Sequence, residues 1–295
     1  MILVTGGTGT LGTEVVRRLR ARGRRLRVLT REPTRANHLA GDDVEVVAGD
    51  ARDARVLGRV MGGVGTVVSA MHGFAGVDAA GAMAVDRDGN ANLIRAARAA
   101  GVDQFVLLSV RGAGPWHAME LFRAKHAAER ALQGSGLSWT IVRPSSYMET
   151  WLTVLGEALP RTGKILVFGR GENPINFVSA RDVAAVVELA VINPGLRGRI
   201  IDVGGPENLT FNEFAQRIER AAGRTNVTRH VPRPVMRFAS AVLGPIKPTL
   251  AAQIRGGLLM DTIDLSFDAS PRLRDFPSIP LTTLSEVMER RSAVG

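Results

Sequence analysis

The stretch "VTGGTGTLG" at residues 4–12 decides the fold, because it places a glycine-rich turn between a short apolar run and an amphipathic segment. Its glycines fit two spacings at once. Gly6, Gly9 and Gly12 follow Gly-x-x-Gly-x-x-Gly, while Gly7, Gly9 and Gly12 follow Gly-x-Gly-x-x-Gly. Such glycines allow a tight turn, and the free N–H groups of the following helix suit a pyrophosphate. The pattern predicts dinucleotide binding, with a purely structural glycine turn as the alternative.

The chain then repeats this alternation of strand and helix. The apolar or β-branched runs are "ILVTG", "LRVLT", "VEVVAGD", "TVVSAM", "QFVLLSV" and "SWTIVRP". Runs of this kind are typical of strands that are buried on both faces. Between them, spacings such as Leu11, Val15 and Leu19 predict helices. Six strands separated by helices predict an α/β fold of the Rossmann type, with a doubly wound parallel sheet.

The regular alternation stops near Pro144. Residues 1–144 are therefore predicted to form a dinucleotide-binding core. Residues 176–205 are expected to complete it, since "DVAAVVELA" and "RIIDVGG" predict one more helix and strand. The remaining segments, 145–175 and 206–295, are predicted to form a smaller, mainly helical cap that binds the substrate.

Composition narrows the class of protein. The 295 residues are 45% hydrophobic and 22% charged, which is ordinary for a folded domain. The sequence has no cysteine and no His-x-x-x-His pair, so we expect neither disulfides nor a metal site. A first strand beginning at Ile2 leaves no room for a signal peptide, and the longest apolar run is short. We therefore expect a cytoplasmic protein with no membrane partner.

The formal net charge is +10, and "RRLRARGRRLR" places seven arginines between Arg17 and Arg27. This cluster raises the hypothesis of a nucleic-acid contact. It is local, however, and 28 acidic residues are spread through the chain, which favours a solvated basic surface. A small-molecule substrate is thus the expected partner, and a homodimer is also consistent with the sequence.

The end of the second strand bears on the choice of cofactor. A carboxylate about 20 residues after the glycines typically binds the ribose of NAD, whereas a cation there accommodates the 2′-phosphate of NADP. Arg31 follows the predicted strand end at Thr30, and Glu32 stands beside it. Because Pro33 is expected to begin the next turn, we favour Arg31 facing the phosphate and NADP(H) over NAD(H). Glu32 as a ribose ligand, or two exposed loop charges, are the alternatives.

The next two strand ends supply further candidates. Ligands of an open parallel sheet collect at the carboxyl ends of its strands. Asp50 and Ala51 follow the third predicted strand and are expected against the adenine, while Ala70 and Met71 follow the fourth and are expected near the pyrophosphate. Ordinary loop packing is the alternative for each.

Several of these motifs together resemble a known family. "TGGTGTLG", "GD" at 49–50, "DGNANLIRAARAAGVDQFVLLS", Lys125 and "GLSWTIVRP" are similar to the atypical short-chain dehydrogenases/reductases. The nearest branch is the NmrA-like one, with its isoflavone-reductase-like and quinone-reductase-like members. The resemblance covers about the first 205 residues. It implies either an NADPH-dependent reductase or a redox-sensing regulator that binds a dinucleotide but catalyses no reaction.

Lys125 is one of three lysines in a chain with 35 arginines. Tyr147 is the only tyrosine and position 151 is Trp, so the Tyr-x-x-x-Lys pair of the wider family is absent. The resemblance implies that the lysine acts alone. Lysine, unlike arginine, can give up a proton in a protein, so Lys125 is predicted to pass a proton to the substrate oxygen. A surface lysine is the alternative.

The remaining predictions are grouped by role. His117 is a candidate acid because the ordinary pKa of histidine suits proton transfer. The predicted cofactor-binding set is Gly6, Thr8, Gly9, Thr10, Leu11, Gly12, Arg31, Asp50, Ala51, Ala70, Met71, Ser109, Lys125 and Pro144. The predicted substrate pocket is His72, Phe74, Trp116, Tyr147, Met148 and Trp151, with plain core packing as the alternative. The sequence thus predicts an NADPH-dependent reductase acting on a small apolar carbonyl, quinone or enone, or else a non-catalytic sensor.

Overall fold

The computed structural model describes residues 1–73 and 81–293, and the chain forms two compact units. The first unit contains Met1–Pro144 and Val183–Val203, and the second contains Ser145–Asp182 and Gly204–Gly295. The strands are β1 (Ile2–Thr5), β2 (Leu26–Thr30), β3 (Val44–Ala48), β4 (Thr66–Ser69), β5 (Gln104–Leu108), β6 (Trp139–Pro144), β7 (Ser146–Tyr147), β8 (Ile165–Phe168), β9 (Ile175–Val178), β10 (Arg199–Val203), β11 (Glu207–Leu209) and β12 (Thr228–Val231). The α-helices are α1 (Thr10–Ala21), α2 (Ala54–Val60), α3 (Asn90–Ala99), α4 (Glu120–Gln133), α5 (Met148–Gly156), α6 (Leu159–Thr162), α7 (Ala180–Ile192), α8 (Phe211–Ala221), α9 (Arg233–Leu243), α10 (Pro248–Met260), α11 (Ser270–Asp275) and α12 (Leu284–Ser292).

A seven-stranded parallel sheet organises the first unit. Its order is β10-β6-β5-β4-β1-β2-β3, and each neighbouring pair is parallel. Val4 pairs with Val28 on one side and with Val68 on the other. The strand order reverses at β1, and the carboxyl ends of the strands at this switch point form the usual ligand-binding crevice. The predicted Rossmann-type fold is confirmed.

Burial on both faces explains why these runs form central strands. Leu3, Val4, Val67, Val68 and Phe105 are all inaccessible to solvent. Helices on the faces of the sheet provide this cover, as the right-handed crossovers between parallel strands require. Each helix contributes an apolar stripe of its own, such as the one formed by Val15, Val16 and Leu19 in α1.

The arginine-rich segment between Arg17 and Arg27 is largely paired inside the first unit. Glu188 of α7 is nearly buried and accepts hydrogen bonds from Arg18 Nε at 2.7 Å and Arg22 Nε at 2.5 Å. Arg20 pairs with Asp43, Arg27 with Glu45, and Arg17 with Glu14. These pairs give five of the seven arginines a role within the fold, which supports the interpretation as a structured basic surface.

The second unit contains two small sheets and several helices. One sheet has the order β11-β9-β7, and the other pairs β12 with β8. Its core is built around aromatic side chains, among them Phe177, Phe211 and Phe214. Residues 176–182 differ from the sequence-based expectation. They lie in this second unit, because β9 pairs with β7 and β11 rather than with the large sheet.

None of the helices in the described ranges, 1–73 and 81–293, is both long and apolar enough to cross a bilayer.

Candidate functional site

The glycine turn after β1 is shaped by contacts that exclude side chains at two positions. Gly6 has φ +73°, and a Cβ on it would lie 2.5 Å from the carbonyl oxygen of Ala70. A Cβ on Gly12 would lie 2.1 Å from the carbonyl oxygen of Gly6. Both distances are far below van der Waals contact. These two glycines therefore let β1, the turn and the first turn of α1 pack together.

Gly9 is different, because the described residues leave room for a side chain there. Among them, a Cβ on Gly9 would meet only the Gly6 carbonyl oxygen, at the ordinary distance of 3.5 Å, and its φ of −83° suits any residue. Gly9 is also the N-cap of α1 and makes no side-chain cap. The first N–H groups of the helix, at Thr10, Leu11 and Gly12, have no intrahelical partner and can bind an anion.

A cavity of about 220 Å³ opens beside this turn. It is formed by the ends of β1 to β4 and the segments that follow them, all within the first unit. Its lining is Thr5, Gly6, Thr8, Gly9, Leu29, Thr30, Arg31, Glu32, Arg35, Gly49, Asp50, Ala51, Arg52, Ala70, Met71, His72, Gly73, Gly81, Val85 and Gly89. The cavity thus brings together eight of the predicted cofactor-binding residues: Gly6, Thr8, Gly9, Arg31, Asp50, Ala51, Ala70 and Met71.

Cations outnumber carboxylates in this lining. Arg31, Arg35 and Arg52 face two acids, Glu32 and Asp50. β2 ends at Thr30, and a 3₁₀ turn begins at Pro33, so both Arg31 and Glu32 lie just beyond the strand. The Glu32 N–H donates to the Thr30 hydroxyl at 3.2 Å. A net positive lining of this kind suits phosphate groups.

Arg52 was not among the sequence-based candidates, and it fixes the orientation of Asp50. Arg52 Nε donates to Asp50 Oδ1 at 3.0 Å, and Nη2 donates to Oδ2 at 2.5 Å. Burial acts to raise the pKa of Asp50, but the hydrogen bonds from Arg52 and the charges of Arg52 and Arg31 outweigh it. The pKa of Asp50 is therefore lowered, and its carboxylate stays ionised at neutral pH.

Lys125 lies in α4 with only 4% of its surface exposed, and it does not line the cavity. Its ammonium donates to the carbonyl oxygens of Met71 at 2.7 Å and Leu108 at 2.8 Å. It also lies 2.9 Å from Oδ1 of the fully buried Asp86. An ammonium has three N–H donors. Lys125 therefore makes two hydrogen bonds and one close ion pair within the first unit.

Asp86 connects this lysine to the cavity wall. It belongs to a π-helical segment, Met83–Gly89, that leads into α3 and contributes Val85 and Gly89 to the lining. Its Oδ2 accepts the Gly73 N–H at 2.7 Å. π-Helical turns of this kind are frequent at functional sites. Asp86 was not among the sequence-based candidates, because no motif spacing relates it to Lys125.

Two buried hydroxyls near the carboxyl ends of the strands lack a hydrogen-bond partner in the described ranges of the chain. Thr5 is 1% exposed and lines the cavity, and Ser109 follows β5 at 5% exposure. Neither side-chain oxygen has a hydrogen-bond partner among the described residues. Buried unsatisfied hydroxyls are uncommon and often mark a ligand site. Ser109 lies outside the cavity lining, as does Pro144, whose carbonyl accepts the Arg111 N–H at 2.9 Å.

The histidine candidates separate clearly. His72 lines the cavity and keeps solvent contact. Desolvation by the surrounding protein lowers the pKa of His72; the charge of Asp86 opposes this shift and the charge of Lys125 adds to it. His117 stacks on Phe122 with ring centroids 4.0 Å apart, and its Nδ1 accepts the Met119 N–H. Desolvation also lowers the pKa of His117. His117 is outside the cavity lining.

The other predicted substrate residues fall in different places. Trp116 is 93% exposed in the first unit, and Phe74 lies outside the described residues. Tyr147, Met148 and Trp151 belong to the second unit. Met148 is fully buried, and Trp151 packs on Phe211 at 4.5 Å between ring centroids. Burial and the nearby Glu149 raise the pKa of Tyr147, which therefore stays protonated.

The first unit fits a dinucleotide on its own geometry: a sterically required glycine turn, an open Gly9 and a cationic cavity. No group of three or more His, Cys, Asp or Glu residues suited to a metal ion occurs in the part of the chain that the structure describes.

Comparison with known proteins identifies relatives of several kinds. An NAD(P)H azoreductase from Xenophilus azovorans is 34% identical over 225 residues, covering 76% of this chain and 74% of the relative. The photosystem II assembly factor Ycf39 from Synechocystis sp. is 30% identical over 239 residues, covering 80% of this chain and 72% of the relative. The triphenylmethane reductase of Citrobacter sp., solved with NADP(H), shares the fold with a TM-score of 0.78 at 23% identity, over 98% of this chain and 99% of that one.

The family model described as NAD(P)H-binding matches residues 6–194, from the glycine turn to the end of α7. These matches confirm the resemblance inferred from the motifs. The chain belongs to the NAD(P)H-binding family.

Proposed function

We propose that this protein is an NADPH-dependent reductase that transfers hydride to a small, apolar, unsaturated acceptor: a carbonyl, a quinone, an enone or an azo compound. The coarser statement, an NAD(P)H-dependent oxidoreductase, rests on the family and on its reductase relatives. The preference for NADPH is supported by the cationic cavity beside the glycine turn. The azoreductase relative supports an aromatic acceptor, because azo compounds and quinones both accept hydride into a conjugated system.

In this proposal the chain binds and orients while the cofactor supplies the hydride. The α1 amino terminus holds the pyrophosphate through its free N–H groups. Arg31, with Arg35 and Arg52 nearby, binds the 2′-phosphate. Asp50, held ionised by Arg52, accepts hydrogen bonds from the adenosine half.

The ion pair between Lys125 and Asp86 suggests how the cavity wall is held. Lys125 joins Met71 and Leu108 at the ends of β4 and β5, and Asp86 joins the π-helical segment to Gly73. We assign Lys125 a positioning role on these contacts. The proton-donor role predicted from sequence stays a prediction. The neutral imidazole of His72, which lines the cavity, is a second candidate for handling a proton.

A non-catalytic function is the second candidate, and the assembly-factor relative is the observation that favours it. A screen separates the two. NADPH oxidation by the purified protein is followed at 340 nm with quinones, enones, aromatic ketones and azo dyes. We expect turnover above background with at least one of these classes. Dinucleotide binding with no turnover in any class would contradict the reductase proposal and favour a sensor.

The glycine turn predicts that one substitution weakens cofactor binding with little effect on stability, while another lowers stability. Gly9→Ala should change the free energy of unfolding by less than about 1 kcal/mol, because its Cβ has room and only the cap is weakened. It should weaken NADPH binding at least about tenfold, since the Cβ would lie where the pyrophosphate approaches. Gly12→Ala is the contrast: it should destabilise by about 1–3 kcal/mol through overlap with Gly6. Calorimetric titration measures the affinity for NADPH, and denaturant unfolding measures the stability. Unchanged NADPH affinity in Gly9→Ala would contradict the assignment of the pyrophosphate to this turn.

Cofactor preference gives the next prediction. NADPH should bind more tightly than NADH, and Arg31→Ala should narrow that difference by about 1–3 kcal/mol, the range of a charge-assisted hydrogen bond. Arg55→Ala is the matched control, because that side chain is 94% exposed and, among the described residues, its one ion pair is with Asp53. Equal or tighter binding of NADH by the wild type would assign the ribose to Glu32 and overturn the assignment of Arg31.

The role of Lys125 is tested with its partner. Lys125→Met alone should destabilise by about 3–5 kcal/mol, since it leaves Asp86 buried without a counter-charge. Lys125→Met/Asp86→Asn should recover part of that loss and fold. We expect the double variant to lower kcat/KM by about 10²-fold through misplacement of the cavity wall, while the pH profile of kcat keeps its wild-type inflections. Loss of one inflection would instead support proton transfer by Lys125.

A further inference from the structure

The second unit exposes a row of large apolar side chains on one short segment. Nine large hydrophobic residues are exposed among those that the structure describes, and five of them lie between residues 235 and 250. These five are Val235 at 53%, Phe238 at 72%, Val242 at 49%, Ile246 at 72% and Leu250 at 40% exposure. We call this set the α9–α10 apolar row. A concentration of exposed large apolar side chains of this kind indicates an interaction surface.

Three members of the row share one face of a helix. Val235, Phe238 and Val242 stand three and four residues apart in α9, so they share one face of the helix. The last turn of α9 closes with a hydrogen bond from Lys247 N to Leu243 O at 2.7 Å. Ile246 lies in the turn between the two helices, and Leu250 lies in α10, which begins after the non-helical Lys247.

The fold holds this face outward through the opposite side of α9. Met236 and Ser240 are the buried residues of α9. The Arg233 guanidinium pairs with Asp261 at 2.5 Å, and Asp261 also accepts the N–H groups of Arg170 and Gly171. Asp261 is itself 1% exposed. A buried anchor at the start of the helix therefore fixes which side chains face solvent.

The stretch of sequence that contains the row has charges of one sign only. Residues 220–260 contain six arginines and one lysine and no aspartate or glutamate. Arg237 and Lys247 lie within the row and are exposed, and neither has an ion-pair partner in the described ranges of the chain. This arrangement contrasts with the Arg17–Arg27 segment, where carboxylates neutralise most of the cations.

The combination of features selects the partner. A nucleic acid would use the cations but would leave Phe238 and Ile246 unexplained. A second copy of the same surface would bury the apolar row, but it would also bring like charges at Arg237 and Lys247 together. An anionic bilayer surface accommodates both features, since apolar side chains enter the acyl boundary while Lys and Arg contact the headgroups.

We propose that the α9–α10 apolar row, with Arg237 and Lys247, docks the protein on anionic phospholipid bilayers. The contact is peripheral, because the apolar face enters the interface without crossing it. It differs from the sequence-based expectation of no membrane partner, which rested on the lack of a long apolar run. The docking does not depend on the proposed reductase activity, so failure of either leaves the other standing.

Co-sedimentation of the full chain with vesicles tests the docking. Vesicles of phosphatidylcholine alone are compared with vesicles in which about a quarter of the lipid is phosphatidylglycerol. We expect binding to the anionic vesicles and little to the neutral ones. Arg237→Gln/Lys247→Gln should weaken binding roughly thirty-fold, since each cation near such a surface contributes about 1 kcal/mol. Phe238→Ser/Ile246→Ser should weaken it at least about tenfold.

Arg24→Gln/Arg25→Gln is the matched control, because it removes the same net charge from the other unit and should leave binding within about twofold of the wild type. Thermal unfolding verifies that each variant is folded, as expected for substitutions of exposed side chains. The proposal is overturned if anionic and neutral vesicles bind equally, or if the control variant loses as much as Arg237→Gln/Lys247→Gln. It is also overturned if the wild type is a dimer that Phe238→Ser/Ile246→Ser converts to monomer, since the row would then be a self-interface.

Discussion

The close approach of backbone to backbone at the glycine turn is the constraint on which the first unit depends. A Cβ at Gly6 would meet Ala70, and a Cβ at Gly12 would meet Gly6, so β1, β4 and α1 converge where side chains are excluded. This convergence points the first N–H groups of α1 toward the ends of the central strands. No described residue hinders a side chain at Gly9, which is why we assign Gly9 to the proposed pyrophosphate site. A structural constraint and the proposed binding site thus share one short stretch.

Much of the fold could be predicted from sequence because the strands of the large sheet are buried on both faces. That burial makes each strand a nearly continuous apolar run, which can be recognised without knowing its neighbours. The second unit was harder to predict. β7, at Ser146–Tyr147, and β11, at Glu207–Leu209, are too short to show a period, and their pairing with β9 depends on contacts distant in sequence. The sequence therefore predicts residues 176–182 to be part of the first unit, whereas they belong to the second.

The candidate site shows the same division between local and distant information. Arg31 and Asp50 could be predicted because strand ends are local features, and ligands collect at them. Asp86 could not be predicted, since its role depends on the ion pair with Lys125. That lysine lies 39 positions further along the chain and contacts Asp86 only in the folded unit. Lys125 stands out in the sequence because lysine is rare, and the fold explains why lysine and not arginine occurs at this position. Three oxygen atoms surround its ammonium group, a geometry that a planar guanidinium does not match.

The two units use their cations in opposite ways. In the first, carboxylates such as Glu188 draw arginines into the fold, so a segment that resembles a binding surface in sequence becomes internal pairing. In the second, a long segment has no acid, and Arg237 and Lys247 stay unpaired in the described part of the chain beside exposed Phe238 and Ile246. Counting charges along the sequence would favour the first segment as the contact surface. The ion pairs seen in the folded protein favour the second segment instead, because only a cation without a paired carboxylate keeps its full attraction for an external anion.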